Sequence, residues 1–97
     1  MNIDVRANHF ELSQKSRAYL DKKLERLHFA QDSIQDLSFS FTHEKEFKCE
    51  ATIHFKWGER AHVVEHDFDI DPGIDKLVDK MEIKIAKDKE RMKDHYK

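Results

Sequence analysis

The chain has 97 residues, a mass of 11.6 kDa and a formal net charge of −2 at pH 7, with 39% charged and 38% hydrophobic residues. These values fit a single domain spanning residues 1–97 with a modest core, and they exclude a low-complexity tail. No apolar run approaches the roughly 20 residues of a membrane span and no secretory signal opens the chain, so we expect a cytoplasmic protein without a membrane partner. Cys49 is the only cysteine, which excludes an intrachain disulfide.

The first 30 residues predict a strand followed by an amphipathic helix. Ile3 and Val5 alternate with polar residues, as in a short strand with one buried face. Ser13 offers an N-cap oxygen to the helix that follows. The apolar stripe of that helix recurs at four- and three-residue steps and comprises Leu20, Leu24 and Leu27.

Three further strands are predicted in the middle of the chain. Hydrophobic and polar residues alternate over residues 37–42 and again over 47–57, with the polar residues 43–46 as a hairpin turn. Gly58 marks the next turn. Residues 60–69 form a less regular fourth strand, in which adjacent valines and crowded acidic residues predict a bulge or a sheet edge.

A long second helix is predicted from Asp71-Pro72, since an Asp cap and a proline at the first helical position favour a helix start. Its apolar positions are Ile74, Leu77, Val78, Met81 and Ile85. The predicted order is therefore β-α-β-β-β-α. Both helices need the apolar face of the sheet, so we expect an α+β fold with a four-stranded sheet and two helices side by side on one face.

Charge is segregated along the chain. Residues 13–28 contain five basic and two acidic residues, and residues 80–97 contain seven basic and four acidic ones. Residues 31–71 contain four basic and ten acidic residues. Because screening limits electrostatic influence to about 8 Å at physiological salt, the two basic helices can attract an anionic partner despite the negative total.

The basic residues of the two helices are the candidate binding residues. Those of the first helix are Lys15, Lys22, Lys23 and Arg26, and those of the second are Lys80, Lys84, Lys87 and Arg91. The second set recurs at three- and four-residue steps, which makes a stripe able to follow a phosphate backbone. The alternative is an ordinary solvated face laced by i,i+4 ion pairs, and the residues alone leave both interpretations open.

Catalytic and metal-binding patterns are missing from the sequence. His62 and His66 lie four apart, which on a strand separates them by about 13 Å, too far to ligate one ion. No Ser-His-Asp, Cys-His or phosphate-loop arrangement is visible. We therefore expect no catalytic residue, no metal site and no cofactor.

Several segments, in their order and spacing, carry a family resemblance. They are Asn2-Ile3-Asp4-Val5, Lys22-Lys23-Leu24-Glu25-Arg26-Leu27, Ala51-Thr52-Ile53-His54, and above all Ile74-Asp75-Lys76-Leu77-Val78-Asp79-Lys80-Met81 with the later Lys87, Lys89 and Lys93. Together they resemble the ribosome hibernation-promoting factor and ribosome-associated inhibitor A family, also called protein Y or sigma-54 modulation protein. The resemblance covers essentially the whole chain.

The resemblance implies a fold similar to a double-stranded RNA-binding domain. It also implies binding to rRNA and ribosomal proteins in the decoding region of the small ribosomal subunit, with inhibition of translation in stress or stationary phase. The basic positions that match the family are Lys22, Lys23, Arg26, Lys80, Lys87, Lys89 and Lys93. Because the chain stops soon after the second helix, it resembles the short form, which implies a monomer off the ribosome that acts beside a separate ribosome modulation factor.

The chain departs from the family pattern in three places. Ile83-Lys84 stands where the family commonly has Arg-Gln, Asp71 replaces a tyrosine, and Asp88 replaces a histidine. Two other functions remain open. A general double-stranded RNA-binding module would hold a plain RNA duplex as tightly as the ribosome, whereas a protein-interaction adaptor would bind basic proteins through an acidic sheet face.

Overall fold

The computed structural model describes the backbone of residues 1–95 and the side chains of residues 1–92. The elements are β1 (Asn2–Asn8), α1 (Gln14–Leu24), a 3₁₀ segment (Glu25–Ala30), β2 (Ile34–His43), β3 (Phe47–Phe55), β4 (Arg60–Asp67) and α2 (Ile70–His95). The predicted order β-α-β-β-β-α is confirmed, with the 3₁₀ segment as an addition that the sequence did not predict. Neither helix in the described part of the chain is long and apolar enough to cross a membrane.

The four strands form one mixed sheet in the order β1-β2-β3-β4. β1 runs parallel to β2, and the other two pairings are antiparallel. One row of paired residues crosses the sheet through Val5, Phe39, Ala51 and Val63. β4 is an edge strand with unbroken pairing to β3, so the expected edge is confirmed there, and the irregular pairing lies in β2 beside Ile34.

The core lies between one face of the sheet and the two helices. Its largest fully buried side chains are Phe39, Phe41, Phe55, Leu20, Leu27, Ile34, Leu37, Ile53, Ile74, Leu77, Met81 and Ile85. Full burial of such a side chain contributes about 1.5–3 kcal/mol, so this layer holds the helices against the sheet. The predicted arrangement of two helices side by side on one sheet face is confirmed.

α1 begins as the sequence predicts and ends sooner. The Ser13 hydroxyl accepts a hydrogen bond of 3.0 Å from the Ser16 backbone N–H, which satisfies one free donor of the first turn. The α-helix ends at Leu24, and Leu27 reaches the core from the 3₁₀ segment. The apolar stripe is thus continuous although the helix type changes along it.

α2 begins at Ile70, so Asp71 lies within its first turn instead of capping it. The Asp71 carboxylate accepts a hydrogen bond of 2.7 Å from the Ser16 hydroxyl and ties the starts of the two helices together. The Asp71 cap was therefore the wrong assignment. Pro72 remains in the first turn, where the backbone has no N–H bond to lose.

β1 is more exposed than its alternating pattern predicts. Val5 is half-buried and packs on the core, but Ile3 is 39% exposed. The reason is that β1 lies at the sheet edge, while α2 packs over β3 and β4 at the other side of the sheet. The edge strand therefore pairs fully with β2 while the helices leave most of its surface uncovered.

Candidate nucleic-acid interface

The two helices present the candidate surface, and α1 with the 3₁₀ segment after it contributes two sets of polar side chains. Helical spacing directs Tyr19, Lys23 and Arg26 toward α2, where each contacts a carboxylate of that helix. Lys22 points into solvent and has neither an ion-pair nor a hydrogen-bond partner among the described residues. α1 thus divides its basic residues between the helix–helix seam and open solvent.

The seam between the helices is closed by polar contacts to Asp75. Its carboxylate accepts a hydrogen bond of 2.6 Å from the Tyr19 hydroxyl and lies 2.7 Å from Lys23 Nζ. The Lys23 ammonium, followed by the Tyr19 hydroxyl, lowers the pKa of the Asp75 carboxyl below its usual value. The same hydrogen bond to Asp75 raises the pKa of Tyr19. Asp75 is therefore held as a carboxylate at neutral pH.

Arg26 is engaged by two further carboxylates of α2. Its guanidinium contacts Asp79 at 2.5 Å through Nη1 and Glu82 at 2.6 Å through Nη2. Asp75, Asp79 and Glu82 follow one another at four- and three-residue steps and share one side of the helix. We call these three residues the carboxylate row.

The opposite side of α2 carries the basic stripe, which comprises Lys80, Lys84, Lys87 and Arg91. Lys80 Nζ donates a hydrogen bond of 3.0 Å to the Val64 carbonyl and lies 3.2 Å from Glu65 of β4. Arg91 donates to both carboxylate oxygens of Glu59 at 2.8 and 2.9 Å. These contacts direct the basic stripe toward β4 and the β3–β4 turn, away from α1.

Two more candidate lysines also have partners within the protein. Lys84 lies 3.2 Å from the buried carboxylate of Asp88, which is an i,i+4 pair. Lys89 donates a hydrogen bond of 3.1 Å to the Phe29 carbonyl and lies 5.6 Å from the centre of the Phe29 ring. Lys89 thereby fixes α2 to the 3₁₀ segment.

Lys15 and Lys87 complete the set of candidate cations with described side chains. Each is exposed and, like Lys22, has neither an ion-pair nor a hydrogen-bond partner among residues 1–92. Lys93 lies on α2, but its side chain falls outside the described part of the chain. The structure therefore leaves three of the described candidates unpaired and gives the others a protein oxygen as partner.

Acidic and basic residues alternate in stripes on the surface of the helix pair, whereas the sequence suggests two basic helices without acidic residues between their cations. The carboxylate row lies between Lys23 and Arg26 on one side and the basic stripe of α2 on the other. This row was not predicted from the sequence. The signal was present, because Asp75, Asp79 and Glu82 have the spacing of one helix side.

The three positions that depart from the family pattern have distinct surroundings. Asp71 bonds Ser16, Asp88 is buried beside Lys84, and Ile83 is 59% exposed. Ile83 and Ala86 line a shallow groove together with Arg26 and the last two carboxylates of the row. The substitutions at Asp71 and Asp88 thus form internal contacts, whereas Ile83 places an apolar side chain on the candidate surface.

The open face of the sheet carries histidine–carboxylate pairs. His62 lies 3.4 Å from Glu50, and His66 lies 3.3 Å from Glu46, so these two histidines have different partners. Within the described residues, no group of three or more His, Cys, Asp or Glu side chains is placed to hold a metal ion. The acidic residues of this face are interspersed with histidine and lysine.

Comparison of the sequence with known families gives a match over almost the whole chain. The model of the family described as "Sigma 54 modulation protein / S30EA ribosomal protein" matches residues 3–93. A Pseudomonas putida protein named ribosome hibernation promoting factor is 33% identical over 92 residues, which is 94% of this chain and 89% of the relative. A protein of the same name from Escherichia coli K12 is 27% identical over 96 residues, covering 98% of this chain and all of the relative.

Two solved structures share the fold. A ribosomal subunit interface protein from Coxiella burnetii superposes with a TM-score of 0.84 at 23% identity, covering 92% of this chain and 98% of that one. The amino-terminal domain of Thermus thermophilus Protein Y superposes with a TM-score of 0.77 at 27% identity, covering 90% of this chain and 98% of that one. The likeness extends over both helices and the sheet.

Proposed function

Because the chain belongs to the Sigma 54 modulation protein / S30EA ribosomal protein family, we propose that it is a ribosome hibernation factor that binds the small ribosomal subunit and inhibits translation. The single observation that carries the proposal is the family match over residues 3–93, which includes both basic helices. The name ribosome hibernation promoting factor, borne by relatives that align over nearly their full length, supports it.

The proposed mechanism is occlusion. The folded domain fills the decoding region, where mRNA and tRNA would bind, and competes with them by mass action. Its proposed rRNA contacts are Lys22, Lys23, Arg26, Lys80, Lys84, Lys87, Lys89, Arg91 and Lys93. In this proposal the protein acts in the cytoplasm during stress or stationary phase, without catalysis or a cofactor, and is a monomer off the ribosome that acts beside a separate modulation factor.

Among the proposed contacts with described side chains, Lys22 and Lys87 are the strongest because they have no partner within the described protein. They can meet rRNA phosphates without first breaking an internal ion pair. The cations held by a single exposed partner are also available at modest cost, since such ion pairs contribute only about 0–1 kcal/mol each. Arg26 differs from them because two carboxylates hold its guanidinium, although 43% of its side chain is exposed.

The proposal is tested with the double charge reversal K22E/K87E. We expect affinity for purified small ribosomal subunits to fall by at least about 30-fold, because two phosphate contacts become repulsions. Cosedimentation through a sucrose cushion measures this loss. The matched control is K45E/K56E, which makes the same charge change at two exposed lysines away from the helices and without ion pairs among the described residues. Equal binding by K22E/K87E and the control would refute the proposed surface.

The competing function, a general double-stranded RNA-binding module, is separated by one further measurement. A hibernation factor binds small subunits much more tightly than a plain RNA duplex of about 20 base pairs, whereas a general module binds both equally. Filter binding of the duplex at the same salt concentration decides between them. In addition, the purified protein should inhibit translation in a cell-free system only when added at a concentration comparable to that of the ribosomes.

A further inference from the structure

The contact between Arg26 and α2 is unusual for a residue proposed to bind RNA. Two different carboxylates, from Asp79 and Glu82, occupy the two ends of its guanidinium fork. That fork is the group which binds a phosphate in bidentate fashion when it is free. The carboxylates of Asp79 and Glu82 therefore stand where phosphate oxygens would otherwise bind.

This double contact is not required to hold the helices together. The side chains of Arg26, Asp79 and Glu82 are 43%, 54% and 37% exposed, and ion pairs at such positions add little to stability. The leucines of α1 and the apolar positions of α2 are buried beneath them. The main consequence of the contact is electrostatic, because it neutralises the charge of Arg26 on the outer surface of the helix pair.

The carboxylate row also repels phosphates that approach the seam. Asp75 and Glu82 are seven residues apart, which is about 10 Å along the helix and comparable with the screening length at physiological salt. A plain RNA duplex lying across the seam would bring its phosphates against this row. A folded RNA site would avoid that repulsion if its phosphates lay beside the exposed cations and a base edge lay opposite the carboxylate row.

We propose that Asp79 and Glu82 are specificity-determining residues, which mask Arg26 and make the helix pair reject plain RNA duplexes in favour of a folded rRNA site of matching shape. This inference rests on the proposed function. Ile83 and Ala86 line the same groove and are uncharged, so Arg26 is the cation among its lining residues. The masking of Arg26 therefore decides whether the groove attracts or repels phosphate.

The test is the isosteric double variant D79N/E82Q, assayed on two ligands at the same salt concentration. We expect its affinity for a mixed-sequence RNA duplex of about 20 base pairs to rise about tenfold. Affinity for purified small subunits should change by less than about threefold. The matched control is D36N/E50Q, which makes the same charge change on the open face of the sheet and should leave duplex affinity within about twofold of the unmodified protein.

A triple variant separates unmasking from a simple gain in net charge. In R26Q/D79N/E82Q the cation is missing, so the gain in duplex affinity should fall to about threefold or less. The single variants D79N and E82Q should each give part of the gain, and they keep the test valid if the double variant is unstable. Thermal unfolding monitored by circular dichroism establishes that each variant is folded.

The outcomes are distinguishable. Unchanged duplex affinity in D79N/E82Q, or an equal gain on duplex and small subunit, overturns the selectivity assignment and leaves the proposed function intact. An equal gain in the R26Q triple variant overturns the masking of Arg26. Failure of the unmodified protein to bind small subunits overturns the proposed function, whatever the variants do on duplex RNA.

Discussion

Gly73 brings the first turn of α2 against the sheet. A Cβ added at this position would lie 2.8 Å from Cys49 Sγ of β3 and 3.5 Å from Asp67 Cβ of β4. Cys49 itself is fully buried, and burial, followed by the nearby Asp67 and Glu65 charges, raises the pKa of its thiol to about 12. The two residues form a packing pair in which the thiol fills the space that the missing side chain leaves.

Replacement of this pair should show strong coupling. We expect G73A alone to lower the free energy of unfolding by about 1 kcal/mol, because overpacking outweighs the gain in helix propensity. In a C49A background the same G73A change should raise the free energy of unfolding by about 1 kcal/mol, since the added methyl then enters vacated space. Urea denaturation of the four proteins measures this. Additive effects would show that the two residues do not share the space.

At the scale of elements, polar contacts decide how α1 lies on α2. The apolar stripes predict that the helices pack together, and the contacts of Asp71 with Ser16 and of Asp75 with Tyr19 and Lys23 fix their alignment. The seam is therefore a row of side-chain pairs whose strength depends on the ionisation of its carboxylates.

Acid should weaken the seam through Asp75. Because the pKa of Asp75 is lower in the folded protein than in the unfolded chain, its ionised form stabilises the fold above about pH 4, and this contribution is lost as pH falls through the lowered value. We expect D75N to lower the melting temperature by about 2–6 °C at pH 6 and by much less at pH 3. Calorimetry at the two pH values measures this.

The control for Asp75 is D32N, at an exposed carboxylate without an ion pair among the described residues. D32N should leave the melting temperature unchanged within about 1 °C at pH 6. If D75N and D32N behave alike at both pH values, the seam contacts of Asp75 do not contribute to stability. If D75N lowers the melting temperature equally at pH 6 and pH 3, its effect comes from packing and its charge contributes nothing.

For the whole molecule, net charge is a poor guide to binding, because the charges are distributed in stripes. Acidic residues of β4 and the β3–β4 turn meet the basic stripe, while those of the carboxylate row meet α1. In the proposed function, counterions are released only by the cations that actually reach phosphate. The internal pairs should therefore limit the salt dependence of binding.

Titration with salt measures how many cations take part. If the eight proposed contacts with described side chains were all free to bind phosphate, the slope in a plot of log affinity against log salt concentration would be near −7. With most of these cations paired internally, we expect a slope of about −2 to −4 for small subunits. D79N/E82Q should make the slope for a plain RNA duplex steeper by about one, because Arg26 is released, and should leave the slope for small subunits nearly unchanged. Fluorescence anisotropy over a range of potassium concentrations provides the slope. A value near −7 for the unmodified protein would show that the internal pairs do not restrict binding.

The element order, the buried sides of both helices and of β2 and β3, and the positions of the turns were predictable from the sequence. These follow from local patterns: alternation in β2 and β3, the leucine steps of α1, and Gly58, whose φ of 96° suits a residue without a side chain. The family resemblance was also readable from local segments. The start of α2 was predicted two residues too late, because Asp71 is a residue type that commonly caps helices but here bonds Ser16 of the other helix.

Which cations are free depends on how the elements pack in three dimensions. The sequence shows Lys22 and Lys23 as equal neighbours, yet Lys23 meets Asp75 of α2 while Lys22 faces solvent. Likewise Arg91 finds Glu59, 32 residues away, across the β3–β4 turn. The physical reason is that these ion pairs join side chains of different elements that lie a few ångströms apart in the fold. Local periodicity gives the side of a helix or strand on which a residue lies, but not its distance from residues of other elements.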